Sequence, residues 1–278
     1  MKSKLLLFAL LVSFVFAKSQ DWELGITLGP MNYQGDIAQA YVNLAKTKLN
    51  FGALGRYTFN PSFAIRGEVN YGKIGGDDKF AVLPPEAYGH NKRNLNFSSS
   101  IFEVSTSLEY NFFKFVPGSR RKRFSPFISA GVGIFHFNPT TVYQGQVVHL
   151  QPLQTELNKP LYSLTQVCFP IGGGIKWNVK KNWTLGVNYA TRFTLTDYID
   201  DVSHNWQTNP TPGNLGQELT YRGDETSNIN WQQTVVKNNQ DPNSKITVNR
   251  GDPKNRDTYM IFGFSLTKTF RKYSCNAF

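Results

Sequence analysis

The sequence predicts an all-β chain, a transmembrane antiparallel up-and-down β-barrel of eight strands with long extracellular loops. Three observations predict it. Eight segments alternate greasy and polar residues with a period of two, the signature of strands with two unlike faces. The connections between them alternate short and long. The chain also opens with an export signal, so it leaves the cytoplasm.

The opening M-K-S-K is followed by an apolar run from Leu5 to Phe16 and by A-K-S-Q. A basic start, a greasy centre and small residues at Ala17 and Ser19 form a secretory signal peptide spanning 1–19. The run is too short to cross a bilayer as a helix. The remainder, about 260 residues, reads as one barrel domain over 20–270 and a periplasmic tail over 271–278. No later segment carries eighteen consecutive apolar residues, the length a transmembrane helix needs. A negative mean hydropathy together with 14% aromatics suits a barrel, because only half of each strand meets lipid.

The strands follow in order. Trp22, Leu24, Ile26 and Leu28 form the first greasy row. Leu49, Phe51, Ala53, Tyr57 and Phe59 form the second, with Leu54 out of step. Phe63, Ile65, Val69 and Tyr71 make the third, and Phe102, Val104, Leu108, Tyr110 and Phe112 the fourth. The fifth is Ile128, Ala130, Val132 and Ile134, and the sixth Phe169, Ile171, Ile175 and Trp177. W-T-L-G-V-N-Y-A-T-R-F at 183–193 is the seventh and the cleanest; Met260, Phe262, Phe264, Leu266 and Phe270 complete the set. Each is about ten residues, enough for a tilted strand to span a membrane.

Between these rows lie about 15 residues, then Asn60-Pro61-Ser62, about 26 residues, a basic turn at 114–123, about 24 residues, V-K-K-N at 179–182, and a long loop at 195–256. Outer-membrane barrels pair short periplasmic turns with long outer loops in this way, whereas a soluble sandwich has no such rule. The greasy faces are therefore expected to meet lipid. A hairpin hidden in the long loop, for example around I-T-V-N-R at 246–250, would raise the count to ten.

The polar faces then point inward. They carry Glu23, Glu68, Glu103 and Glu109 against Arg56, Arg66, Lys176 and Arg192, four charges of each sign. In a narrow barrel these must pair, because an uncompensated buried charge is costly. An eight-stranded barrel is filled by its own side chains, which excludes a general porin. Function is left to the ends and the outer wall.

The net charge of +11 points to an acidic partner, and export argues against nucleic acid. The basic residues concentrate at the periplasmic end, in Lys114, Arg120, Arg121, Lys122, Arg123, Lys180, Lys181, Lys268, Arg271 and Lys272. They either anchor the barrel at the lipid headgroups or form a docking face for an acidic periplasmic protein. Cys168 and Cys275 form no disulfide framework. Cys168 reads as a small core residue, while Cys275 in the tail is either a free thiol or the site of an intermolecular disulfide.

No residue pattern supports catalysis, a cofactor or a metal. His136, with Ser129 seven residues away, is the nearest approach to a lipid-modifying hydrolase; His90, His149 and His204 are loop residues. Asp77-Asp78 and Asp200-Asp201 read as solvated turn residues rather than calcium ligands.

Several stretches are similar to one family. They are G-P-M-N-Y-Q-G-D-I at 29–37, F-N-P-S-F-A-I-R-G-E-V-N-Y-G at 59–72 and R-N-L-N-F-S-S-S-I-F-E-V at 93–104. S-P-F-I-S-A-G-V-G-I-F-H-F-N-P at 125–139, Y-S-L-T-Q-V-C-F-P-I-G-G-G-I-K at 162–176 and T-D-Y-I-D-D-V-S at 196–203 continue the set. Together they resemble the PorG-type outer-membrane barrel of the type IX secretion system. The resemblance implies an outer-membrane component that anchors or docks a periplasmic ring built from a lipoprotein and its partner. That ring belongs to a protein-export machine that in some bacteria also supports gliding motility. It implies no catalytic residues. An adhesin or surface-shielding barrel is the alternative, with a lipid-modifying enzyme behind it.

Overall fold

A computed structural model of the chain describes residues 21–38, 46–80, 93–156, 161–204, 214–220, 222–225 and 250–271. Eight long strands close into a barrel: β1 (Asp21–Gln34), β2 (Lys48–Asn60), β3 (Phe63–Asp77), β4 (Asn96–Asn111), β5 (Phe124–Tyr143), β7 (Thr165–Lys180), β8 (Trp183–Thr194) and β9 (Thr258–Arg271). The short β6 (Gln146–His149) folds back on the end of β5, Thr140 facing His149, and lies outside the closed ring. Every barrel strand pairs antiparallel with its neighbours in the chain, and β1 pairs with β9 to close the circle. This is the up-and-down topology with no free edge, the arrangement that lets strands sit in hydrocarbon with every backbone group paired.

The two-residue period is visible in the burial of β4, where buried and exposed residues alternate from Ile101 to Asn111. Val104 is 50% exposed while its neighbours Glu103 and Ser105 are buried. The same holds for β8: Trp183, Leu185, Tyr189 and Phe193 face out, and Arg192 is buried. The outward rows of all eight strands join into one continuous apolar belt around the barrel. A soluble monomer rarely exposes an apolar patch beyond a few hundred Å², so this belt is a lipid-facing surface.

The structure departs from the sequence reading in strand length and adds two details to it. The strands run 12–20 residues rather than about ten, because several continue past the belt and pack beneath the loops. Leu54, the apolar residue on the polar face of β2, keeps the strand's alternation, points inward and is buried opposite Gly25 and Glu68. Finally, the β5–β7 ladder skips Phe169 and Pro170, as proline has no N–H to donate. The segment I-T-V-N of the suggested extra hairpin, the signal peptide and the tail beyond Arg271 lie outside the described residues.

Candidate functional site

The barrel interior is a ladder of ion pairs rather than a pore. Near the short-turn end, Arg56 reaches Glu23 at 2.7 Å and Glu109 at 3.1 Å, and Lys176 also bonds Glu109. Arg66, opposite Arg56 on β3, reaches Glu68 at 2.6 Å, and higher up Arg192 meets Glu103 at 3.0 Å. Glu103 further accepts hydrogen bonds from the hydroxyls of Ser105 and Tyr259. All eight charges are thus inside and each has an opposite partner, Glu68 alone being half-buried.

The short-turn end is closed by the β4–β5 turn. Its Phe115 is 1% exposed, with the Lys176 ammonium 4.7 Å from its ring centroid. The backbone is tied across the mouth: Phe115 N–H donates to the Pro61 carbonyl at 2.9 Å, and Gly118 N–H to the Asn178 side chain at 2.9 Å. Asn178 N–H in turn donates to the Arg123 carbonyl at 2.7 Å. Gly118 has φ of 75°, a left-handed conformation that suits glycine. The turn is therefore pinned to β2–β3 and to β7, and it presents Lys114, Arg120, Arg121, Lys122 and Arg123 outward.

Lys180 and Lys181 are exposed beside it, and Lys268 lies over the rings of Trp183 and Phe270 at 5.8 Å and 5.6 Å. Arg123 lies over Trp177 at 5.8 Å. These contacts match the interfacial anchoring that amphipathic cations adopt at a membrane edge. The acids of this end, Asp21, Glu23 and Glu109, are buried, so its exposed surface is purely basic among the described residues. Of Arg271 only the backbone is described, paired with Asp21; Lys272 and Cys275 lie outside the described residues.

The opposite end carries a packed cap. Ile37, Leu95, Phe97, Phe137, Leu150, Ile199, Val202 and Leu219 form its apolar centre over Met31 and Tyr33 of the barrel wall. Charges from separate loops are sewn through it. Arg93 makes a bidentate pair with Asp78 at 2.8 Å, donates to the Asp36 carbonyl at 2.6 Å and bonds the Arg250 carbonyl. Arg250 meets Glu156 at 2.9 Å and donates to the Asp201 carbonyl at 2.6 Å. Asp201 accepts from Thr155 at 2.5 Å and Tyr162 at 2.6 Å.

Asp78, Asp200 and Asp201 are consequently buried and hydrogen-bonded, not solvated turn residues as their paired spelling suggests. Among the described residues no cluster of three or more metal-ligating side chains occurs. His136 faces outward with Thr165 at 3.1 Å, whereas Ser129 is on the inward-facing side of the same strand, so the two do not meet. His149 bonds Asn138, His204 stacks on Tyr198, and His90 lies outside the described residues. Cys168 is buried and free, 3.6 Å from the Tyr259 hydroxyl.

Sequence reading missed Phe115 as a plug and three cap residues: Arg93, Arg250 and Arg222, which pairs with Glu225 at 2.8 Å and donates to the Thr141 hydroxyl at 2.9 Å. Arg93 and Arg250 are 157 positions apart, and nothing local marks either one.

Several solved outer-membrane barrels are similar in fold. The N-terminal barrel domain of Pseudomonas aeruginosa OprF is 11% identical over 91% of this chain and 100% of its own, with a TM-score of 0.40. Yersinia pestis Ail is 9% identical over 91% and 100%, with a TM-score of 0.42, and Neisserial surface protein A 8% over 90% and 97%, also 0.42. No curated protein matches the chain. The family model described as a domain of unknown function, DUF6089, matches residues 2–222, which take in the first seven barrel strands and most of the cap, and the chain belongs to that family.

Proposed function

We propose that this outer-membrane barrel is a component of a type IX protein secretion system and anchors its periplasmic, lipoprotein-containing ring. The reading joins the PorG-type resemblance of six sequence stretches to one structural observation: a pinned basic surface at the short-turn end with no exposed acid among the described residues. Filled by its own ion pairs, the barrel offers no path for cargo, so its contribution is attachment. A fixed turn loses little conformational entropy on binding, and clustered cations favour an acidic partner and speed its encounter.

Reversing Arg120, Arg121, Lys122 and Arg123 together to Glu is expected to reduce co-purification of the ring at least about tenfold, a loss of about 1.4 kcal/mol. The barrel should still fold, since all four side chains are exposed. Wild-type co-purification should itself weaken as salt is raised, because such contacts are screened. A folded quadruple variant that retains the ring in full would overturn the docking surface.

A further inference from the structure

Beside its apolar packing and its arginine pairs, the cap meets the barrel wall at one hydroxyl set between two carboxyl groups. Tyr33, at the upper end of β1, lies 2.6 Å from Asp200 Oδ2 and 2.8 Å from Asp257 Oδ1. A phenol has one proton to donate. It can satisfy only one of these oxygens; the other contact requires a proton on the carboxyl side, or it sets two lone pairs against each other in a buried site.

The remaining hydrogen bonds decide which acid holds it. Asp200 accepts on both oxygens from backbone donors, Ile37 N–H on Oδ2 at 3.2 Å and Val202 N–H on Oδ1 at 2.9 Å. Asp257 accepts Ile199 N–H on Oδ2 at 2.8 Å, and its Oδ1 contacts Tyr33. Asp200 is therefore the acceptor-only, ionised partner, and its 2.6 Å contact has the length of a hydroxyl donating to a carboxylate. Asp257 Oδ1 is the place for the proton.

We infer that a proton held on Asp257 and donated to the Tyr33 oxygen, whose own proton is donated to ionised Asp200, latches the cap segments 196–204 and 250–257 onto β1, and that its loss as pH rises loosens these segments. The latch joins the two ends of the longest loop: Asp200 follows β8 and Asp257 precedes β9.

The electrostatic surroundings favour the protonated state. Asp36 of the first outer loop and Asp197 face the pair from the acidic side. Arg93 is the cation facing it from the second loop, and it is already committed to Asp78. Glu156 of the third loop acts on Asp36 and Asp197, Asp252 acts on Asp36, and Arg256 acts on Asp197. Burial, reinforced by neighbouring carboxylates, makes the Asp200–Asp257 pair hold on to one proton, which the hydrogen bonds place on Asp257, and it pushes Asp36 up to about 6 and Asp197 up to about 7. A carboxyl raised in the closed cap binds its proton more tightly there than in the open loop. Closure is then strongest below the ordinary carboxylate value of about 4 and weakens as pH rises toward the raised value.

The test is hydrogen exchange at the Ile37 and Ile199 amides of the full-length barrel in lipid, corrected for intrinsic exchange, between about pH 6 and pH 9. Wild-type protection is expected to fall about tenfold or more over that range. Asp257→Asn should lose clearly less protection over that range than wild type, only the part due to Asp36 and Asp197, since the carboxamide oxygen can take the Ile199 N–H while its NH2 donates to Tyr33. Asp200→Asn should lose protection at every pH, because its NH2 would face either Ile37 N–H or Val202 N–H. Equal behaviour of the two asparagine variants overturns the inference, as does flat wild-type protection. If Asp200→Asn fails to fold, the comparison of Asp257→Asn with wild type decides.

Discussion

Replacing Glu109 by leucine is expected to destabilise the barrel by about 3–5 kcal/mol, the cost of leaving a buried charge without its partner. Glu109 is fully buried and bonds both Arg56 and Lys176. Removing it leaves Lys176 with ring contacts to Phe115 and Phe127, at 4.7 Å and 5.4 Å, and with Glu23 acting on it only from beyond salt-bridge distance. Arg56 fares better, because Glu23 remains at 2.7 Å. The cost should therefore come mainly from the lysine, and adding Lys176→Met to Glu109→Leu should recover half or more of the loss. Reversible urea unfolding in lipid vesicles measures both variants, and the double-mutant cycle isolates their coupling. A single variant costing less than about 1 kcal/mol would mean that water reaches the lower barrel and screens these charges.

That network also marks the boundary of what the amino-acid order reveals. The inward placement of Glu103 and Arg192 follows from alternation, since a strand has only two faces and the greasy one must meet lipid. Their partnership does not follow. The two residues lie 89 positions apart, and contact depends on strand stagger, which no single strand encodes. Short turns such as Pro61-Ser62 and Lys181-Asn182 leave so little slack that topology is legible from spacing.

The long-loop end lacks any such rule. Asp36, Arg93, Glu156 and Arg250 come from four different loops and converge only after folding. Asp200 and Asp201 look like ordinary turn acids until Tyr33, Tyr162 and the loop backbone surround them. Phe115 shows a smaller version of the same limit. In F-F-K-F at 112–115, Phe112 and Phe113 stay exposed at the barrel edge while Phe115 turns in, held by the distant Pro61 carbonyl and the Lys176 ammonium.

Ile26→Arg is expected to cost about 2–4 kcal/mol when the barrel is refolded into lipid vesicles, the penalty for arginine at the bilayer midplane. Ile26 is 64% exposed, central in the row from Trp22 to Leu28, and flanked by Ala53 and Leu266 on the adjoining strands. Phe270→Arg places the same charge at the short-turn rim, where Lys268 already stands, and should cost only about 0–1 kcal/mol. The contrast matters more than either value. Water outside the barrel would make both substitutions nearly neutral, while a protein partner covering the belt would penalise them by local fit rather than by depth. Only hydrocarbon, bounded by two polar interfaces, produces a cost that peaks at Ile26 and fades toward Phe270.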